Sequence, residues 1–291
     1  MKLVNVKKNG NCALGVRTPS GIRDVSALSL PEVPKTMRQA LELGLDETLR
    51  RLSPVFEQAP LLKEEDAVFA PVVTDPEKIL CVGKNYRAHV AEMTETELFK
   101  RPNASPEIFA KFRNTLVPHG GSVRLNPFSR KHDYEAEIAV VIGRRASRVS
   151  EEAATDYIFG YTLANDISAR DLQKAASQWT PGKTCDTFCP LGPCLVTADE
   201  LAPDGIVITG YKNGELRQSG CSREMIYSIP YIVSFLSHCC TLEPGDLILT
   251  GTPAGVIMGR PAEKQDWLRA GDTLSVCSDE IGTLTVTVTE E

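Results

Sequence analysis

Three acidic residues are the part of the sequence best suited to chemistry. Glu135 and Glu137 stand two residues apart at the start of the apolar run 138–142, and Asp166 closely follows a second apolar run, 159–163. If the first run is a strand, its two-residue period places both glutamates on the same face. Carboxylate oxygens are the ligands that hard divalent cations such as Mg²⁺ and Mn²⁺ prefer. The spacing therefore predicts a carboxylate metal site.

Each of these acids also has a simpler explanation when it is taken alone. A Glu-x-Glu pair on a strand usually lies on a solvated face, and Asp166 alone fits the cap of a helix better than a metal ligand. Like charges side by side on a strand repel each other, so we expect a cationic group close to Glu135 and Glu137. The residues alone leave both interpretations open.

A histidine and a glutamate form a second candidate group. His89 and Glu92 follow the buried-strand pattern 79–83 and are three residues apart, so on one helical turn they share a face and could hydrogen-bond. An isolated pair at this spacing is more often a surface ion pair.

Polar residues also follow Asp166. A capping-box pattern predicts a helix that begins near Ser168, and Arg170 and Gln173 then share a face that could point back towards Asp166. Lys183 follows a Pro-Gly turn and would offer a cation, although an exposed lysine explains it equally well.

Composition excludes several classes of function. The 291 residues carry 32 basic and 38 acidic side chains, a net charge of −6, with no basic cluster, which argues against nucleic acid as the main partner. No apolar run is long enough to span a membrane, and no signal peptide is evident. The nine cysteines are then expected to be reduced thiols in a cytoplasmic protein.

Two domains are predicted. Residues 1–70 suggest a small α+β accessory domain, with a hairpin turn at Asn9-Gly10 and a capping box at 36–39 that opens a helix weakened by Gly44. Residues 71–291 contain many short strand patterns and turns. Within them, the polar segment 94–106 is a candidate lid over a site.

Five ordered motifs of the second domain resemble those of the fumarylacetoacetate hydrolase family. Together they run from about Asp75 to the C-terminus and are far more specific than any one of them. The motifs are VGKNYRAHVAEM, DYEAEIAVVIG, GYTLANDISARDLQ, Lys183 with DTFCPLGP, and LEPGDLILTGTPAGV.

The resemblance implies a fold and a set of site roles. In that family the catalytic domain is a mixed β-sandwich roll, usually a homodimer, that binds Mg²⁺ or Mn²⁺ and acts on 2-oxo acids. Matched by motif, the metal ligands are Glu135, Glu137 and Asp166, and the acid–base pair is His89 with Glu92.

The remaining matched residues concern the substrate. Lys183 matches the family's site lysine, and Arg170 with Gln173 matches a polar wall of the site. Thr252, in the Gly-rich loop after a strand, matches the threonine of the substrate-carboxylate loop. This loop lacks the Gly-Lys-Ser/Thr ending of a phosphate loop.

The expected activity is that of a metal-dependent hydrolase that cleaves a carbon–carbon bond in a 2,4-dioxo acid such as an acylpyruvate, through an enolate. In that reaction Glu92 would orient His89, and His89 would deprotonate a water. An oxaloacetate-type decarboxylase or tautomerase is the alternative, because it uses the same cation and the same enolate. A catalytically silent family member that acts as a binding protein is the second alternative.

Overall fold

The computed structural model describes residues 1–93 and 105–290, and within them the chain forms strands and short helices. The strands are Lys2–Lys8 (β1), Asn11–Thr18 (β2), Gly21–Asp24 (β3), Leu61–Leu62 (β4), Ile79–Gly83 (β5), Glu107–Lys111 (β6), Leu116–Val117 (β7), Ser122–Arg124 (β8), His132–Asp133 (β9), Ala136–Ile142 (β10), Ile158–Asn165 (β11), Ser168–Ala169 (β12), Cys189–Thr197 (β13), Val207–Lys212 (β14), Glu215–Cys221 (β15), Leu247–Leu249 (β16), Thr273–Ser278 (β17) and Gly282–Thr289 (β18). The α-helices are Met37–Leu43 (α1), Leu45–Leu52 (α2), Arg87–Glu92 (α3), Arg170–Lys174 (α4), Thr180–Lys183 (α5) and Ile229–Cys239 (α6).

A large mixed sheet carries the centre of the molecule. Its strand order is β4-β3-β2-β1-β13-β11-β10-β16-β5-β6, with β7 paired to β13. Most neighbours are antiparallel, whereas β16 and β5 run parallel. A second sheet has the order β15-β14-β17-β18-β8, and β9 with β12 forms a separate small pair. This confirms the predicted β-rich α+β fold.

The central strand β10 is buried on both of its faces. Ile138 and Val140 pack into a core shared with the second sheet and with α6, whereas Ala139 and Val141 pack into a core shared with the N-terminal helices. Glu137 lies on this strand and is only 2% exposed. A solvated face therefore does not explain it.

Local patterns predicted the N-terminal part well. Asn9 and Gly10 form the turn between β1 and β2 with positive φ angles, as an Asn-Gly hairpin requires. Thr36 and Gln39 form a reciprocal capping box at α1, and Gly44 separates α1 from α2 at φ 79°. Because β1 pairs with β13, these strands extend the large sheet, and the division at residue 70 stays a prediction.

The prediction for the segment after Asp166 was wrong in detail. The helix begins at Arg170, because Ser168 pairs with Asp133 in the β9–β12 ladder and is extended. No side chain caps this helix, and Asp171 instead accepts hydrogen bonds from Ser129 and the Arg130 amide. Strand pairing thus displaced a capping motif that was plausible from local sequence.

Most of the segment 94–106, the candidate lid, lies outside the described residues. Over the part of the chain that is described, no helix has the length and apolar character needed to cross a membrane.

Candidate active site

Three carboxylates converge between two neighbouring strands. Glu135 directly precedes β10, Glu137 lies on it, and Asp166 directly follows β11. The Asp166 amide donates to the Glu135 carbonyl at 2.8 Å, which ties the two strand ends together. One oxygen of each carboxylate lies within 4.8 Å of the others, and all three side chains are buried. The spacing of the three acids thus led to a real cluster.

Cationic side chains surround this cluster, as the repulsion between its carboxylates requires. The ammonium of Lys183 contacts Glu135 and lies 2.7 Å from Asp166 Oδ2. The guanidinium of Arg170 lies 2.7 Å from Glu135 Oε1 and donates to Gln173 Oε1 at 3.0 Å. Arg170 does not turn towards Asp166 as expected, because its Nε donates to Asp133 at 2.9 Å.

These contacts divide the acids into two electrostatic types. Burial raises the pKa of Glu135, but Arg170 and Lys183 outweigh burial and hold that pKa below its ordinary value. Burial, together with the charges of Asp166 and Glu135, holds the pKa of Glu137 well above its ordinary value. Burial lowers the pKa of Lys183, but Asp166 and Glu135 raise it above the ordinary value, so Lys183 stays a fixed cation.

The His89–Glu92 pair is built into the same region. His89 Nδ1 lies 2.8 Å from Glu92 Oε1 within α3, and His89 is only 3% exposed, so it is not a surface residue. Glu92 Oε2 accepts the Gly255 amide at 2.8 Å, which fixes the carboxylate from its other side. A charged His89 would lower the pKa of Glu135, so the ring lies within electrostatic reach of that carboxylate.

The loop after β16 fastens these groups to the sheet. The Gly251 amide donates to Glu137 Oε2 at 2.8 Å. The Thr252 hydroxyl donates to the Ala136 carbonyl at 2.9 Å and accepts Gln218 Nε2 at 2.7 Å. Thr252 thus holds the loop on β10, and its expected role in binding a substrate carboxylate stays a proposal.

Sequence reasoning missed two charged residues of this site. Lys111, at the end of β6, lies 2.6 Å from Asp166 Oδ1. Asp133 accepts Arg170 and also the amides of Ile257 and Met258. A lone lysine that ends the apolar pattern EIFAK and an acid that opens DYEAE were the available signals.

The cluster fits a hard divalent cation. It offers three carboxylates and no sulfur, and within residues 1–93 and 105–290 Glu137 has no cationic hydrogen-bond partner, only the Gly251 amide. A buried carboxylate without a counter-charge is costly, and a bound cation would supply that charge. We therefore treat Glu135, Glu137 and Asp166 as candidate ligands.

Comparison with known proteins identifies the family. The family described as "Fumarylacetoacetate (FAA) hydrolase C-terminal" matches residues 78–289 of this chain. The chain belongs to the fumarylacetoacetate hydrolase family of enzymes. It is 44% identical to the oxaloacetate tautomerase YisK of Bacillus subtilis over 223 residues, which cover 76% of this chain and 72% of that protein. It is 38% identical to the human mitochondrial oxaloacetate tautomerase FAHD2A, over 93% of this chain and 85% of that one.

Solved structures of the family share the whole fold. A fumarylacetoacetate hydrolase from Exiguobacterium antarcticum matches with a TM-score of 0.86 at 31% identity, and covers 100% of both chains. A maleylpyruvate hydrolase from Sphingobium sp. SYK-6, solved with manganese(II) and pyruvate, matches with a TM-score of 0.80 at 26% identity, over 100% of this chain and 99% of that one. The predicted homodimer and cytoplasmic location stay predictions.

Proposed function

We propose that this enzyme is a Mg²⁺- or Mn²⁺-dependent keto–enol tautomerase of oxaloacetate or a closely related 2-oxo dicarboxylic acid. The observation that carries the proposal is the pair of the buried His89 and the half-buried Glu92, held by the same loop whose Gly251 amide binds Glu137 of the carboxylate cluster. The similarity to oxaloacetate tautomerases supports this activity over the hydrolase that the motifs alone led us to expect first.

Glu135, Glu137 and Asp166 would hold the cation. When bound, a divalent cation polarises a 2-oxo group and makes the hydrogens on the adjacent carbon more acidic. The reaction then needs a base for one of those hydrogens and a positive charge beside the oxygen that becomes negative.

His89 and Glu92 fit the role of the base that removes a hydrogen from the carbon beside the 2-oxo group. Tautomerisation moves one proton from carbon 3 to the oxygen on carbon 2 and consumes no water. Glu92 holds His89 at Nδ1, so Nε2 is the atom that would take the proton from carbon 3 and later release it. Because Gly255 fixes Glu92 as well, the ring is oriented before substrate arrives.

Lys183 fits the role of the positive charge beside the oxygen that becomes negative, and Arg170 supports it. Lys183 is held protonated between Glu135 and Asp166, so it would act as a fixed positive charge and not as a base. Arg170 holds Glu135 in place, and Gln173 bonds to Arg170, so both shape the site wall. We propose that direct contact with substrate by Arg170, Gln173 and Thr252 orients its carboxylates.

The test is the rate at which keto and enol oxaloacetate interconvert, followed by enol absorbance in the presence of Mg²⁺ or Mn²⁺. We expect turnover by the unchanged protein, none above background in Glu137→Ala, and a loss of at least about 100-fold in His89→Ala. His238→Ala, at an exposed histidine of α6, is the matched control and should match the unchanged protein. Full activity in Glu137→Ala would refute the metal site.

Hydrolysis of an acylpyruvate is the second candidate. It is favoured by the fold shared with the maleylpyruvate hydrolase, and the His89–Glu92 pair could activate a water as readily as it takes a carbon-bound proton. A parallel assay with an acylpyruvate tests this candidate, because its hydrolysis consumes one water and releases pyruvate and a second carboxylic acid, whereas decarboxylation of oxaloacetate releases CO₂. Neither reaction should proceed at a rate near that of oxaloacetate tautomerisation. A protein that binds 2-oxo acids without turnover would be the silent member considered above.

A further inference from the structure

Lys111 is a buried lysine whose ammonium contacts Asp166 of the carboxylate cluster. It ends β6 and its side chain has no exposed surface, although lysine is among the residues least often buried. Its ammonium lies 2.6 Å from Asp166 Oδ1, 2.6 Å from the carbonyl of Lys183 and 3.2 Å from the carbonyl of Ile167. Three acceptors satisfy the three donors of the ammonium.

Lys111 and Lys183 divide the carboxylate of Asp166 between them. Lys111 takes Oδ1 and Lys183 takes Oδ2, so the orientation of this candidate ligand is set from both sides. The bond from Lys111 to the Lys183 carbonyl also fixes the end of α5, from which the Lys183 side chain reaches the cluster.

We propose that Lys111 is a positioning residue that weakens the hold of the site on its cation and strengthens its hold on an anionic substrate. The inference rests on the proposed function, in which Glu135, Glu137 and Asp166 bind the cation and the substrate is a 2-oxo acid anion. A positive charge bonded to Asp166 repels a divalent cation at the same carboxylates, and it attracts an anion that binds beside that cation. The low exposure of the cluster keeps solvent from screening either effect.

These two effects have opposite signs, and this separates them from a loss of structure. A variant that merely loosened the site would bind both the cation and the anion less well. Removal of the Lys111 charge should instead make the cation bind more tightly and the anion bind more weakly.

The experiment measures Mn²⁺ affinity by electron paramagnetic resonance and oxalate affinity of the Mn²⁺-loaded protein by calorimetry. The uncharged variants are Lys111→Met and Lys111→Gln. The glutamine keeps an N–H donor for Asp166 or for one of the two carbonyls, so it serves if Lys111→Met does not fold. We expect Mn²⁺ to bind at least about tenfold more tightly and oxalate at least about tenfold more weakly in both variants. Lys111→Arg keeps the charge and should return both affinities towards those of the unchanged protein.

Lys212→Met is the matched control. Lys212 is also a buried lysine, and it donates to the carbonyl and the carboxylate of Asp266, which is none of the candidate ligands. Its removal should change neither affinity. Equal or weaker Mn²⁺ binding in the folded uncharged variants of Lys111 would overturn the inference and leave the proposed activity standing. No Mn²⁺ binding by the unchanged protein would refute the proposed metal site itself.

Discussion

Asp133 is the residue whose replacement tests the site architecture most directly. It is fully buried, and its two oxygens accept four backbone or side-chain donors from other residues. Oδ1 accepts the amides of Tyr134 and Ile257, and Oδ2 accepts the amide of Met258 and Nε of Arg170. In Asp133→Asn, the new amide group must replace one of these oxygens and face two donors.

The expected cost follows from the donors that lose an acceptor. Two buried donors would face the new amide group, at about 1–3 kcal/mol each and roughly 3–5 kcal/mol together, while Arg170 keeps Glu135 as its other carboxylate partner. For a chain of 291 residues, at about 1.6 °C per kcal/mol, that lowers Tm by roughly 5–8 °C. Asp171→Asn is the matched control. Asp171 likewise accepts several donors, which are the Ser129 hydroxyl and the amides of Arg130 and Leu172, but it is partly exposed and has no cationic hydrogen-bond partner among the described residues. Its loss should cost about 1 kcal/mol, which lowers Tm by about 2 °C.

Thermal unfolding and turnover together decide the result. Asp133 holds the loop at Ile257 and Met258, and the same loop holds Glu92 through Gly255, so turnover should also fall roughly 10- to 100-fold as His89 loses its orientation. A Tm for Asp133→Asn within about 2 °C of the unchanged protein, or no lower than that of Asp171→Asn, would contradict this account of the buried network.

Three further outcomes are expected. Chelation with EDTA should stop turnover and lower Tm, and Mn²⁺ at about 100 times its Kd should restore about 2.7 kcal/mol of stability; a Tm indifferent to Mn²⁺ would argue against a cation site. Glu92→Gln should slow proton transfer roughly 100-fold while Mn²⁺ affinity stays unchanged, since Glu92 is not a candidate ligand; a change in that affinity would contradict the division of roles. Gly255→Ala should cost about 1–3 kcal/mol or more, because Gly255 has φ 112° and an added Cβ would lie 1.9 Å from the Arg217 carbonyl; an unchanged Tm would show that the loop relaxes freely.

Interactions between residues close in the sequence were predictable. The Asn9-Gly10 hairpin, the Thr36 capping box and the His89–Glu92 pair each depend on residues at most four positions apart, and all are present. The grouping of Glu135 with Glu137 is of the same kind, because strand alternation alone places them together. Fold class followed from ordered motifs, which carry more information than any single pattern.

The charged contacts behind the site could not be predicted in this way. Lys111 and Asp166 are 55 residues apart, and Arg170 and Asp133 are 37 apart, so only the strand pairing brings them together. The predicted helix start at Ser168 was wrong for the same reason, because it too depends on strand pairing with a distant residue. Its local sequence favours a cap, but pairing with Asp133 supplies backbone hydrogen bonds that a helix there would forgo.

The loop after β16 shows why a site can depend on residues that have no chemistry of their own. Backbone amides of Gly251, Gly255 and Ile257 bind, in turn, Glu137, Glu92 and Asp133, which belong to three different parts of the site. An amide leaves no trace in residue type, so the only visible requirement is glycine, imposed by φ angles of 98° and 112° and by close approach to neighbouring backbone. One loop thus orients a candidate metal ligand and the acid–base pair together. Substitutions that bend this loop should therefore disturb cation binding and proton transfer together, whereas Glu92→Gln should slow proton transfer and leave cation affinity unchanged.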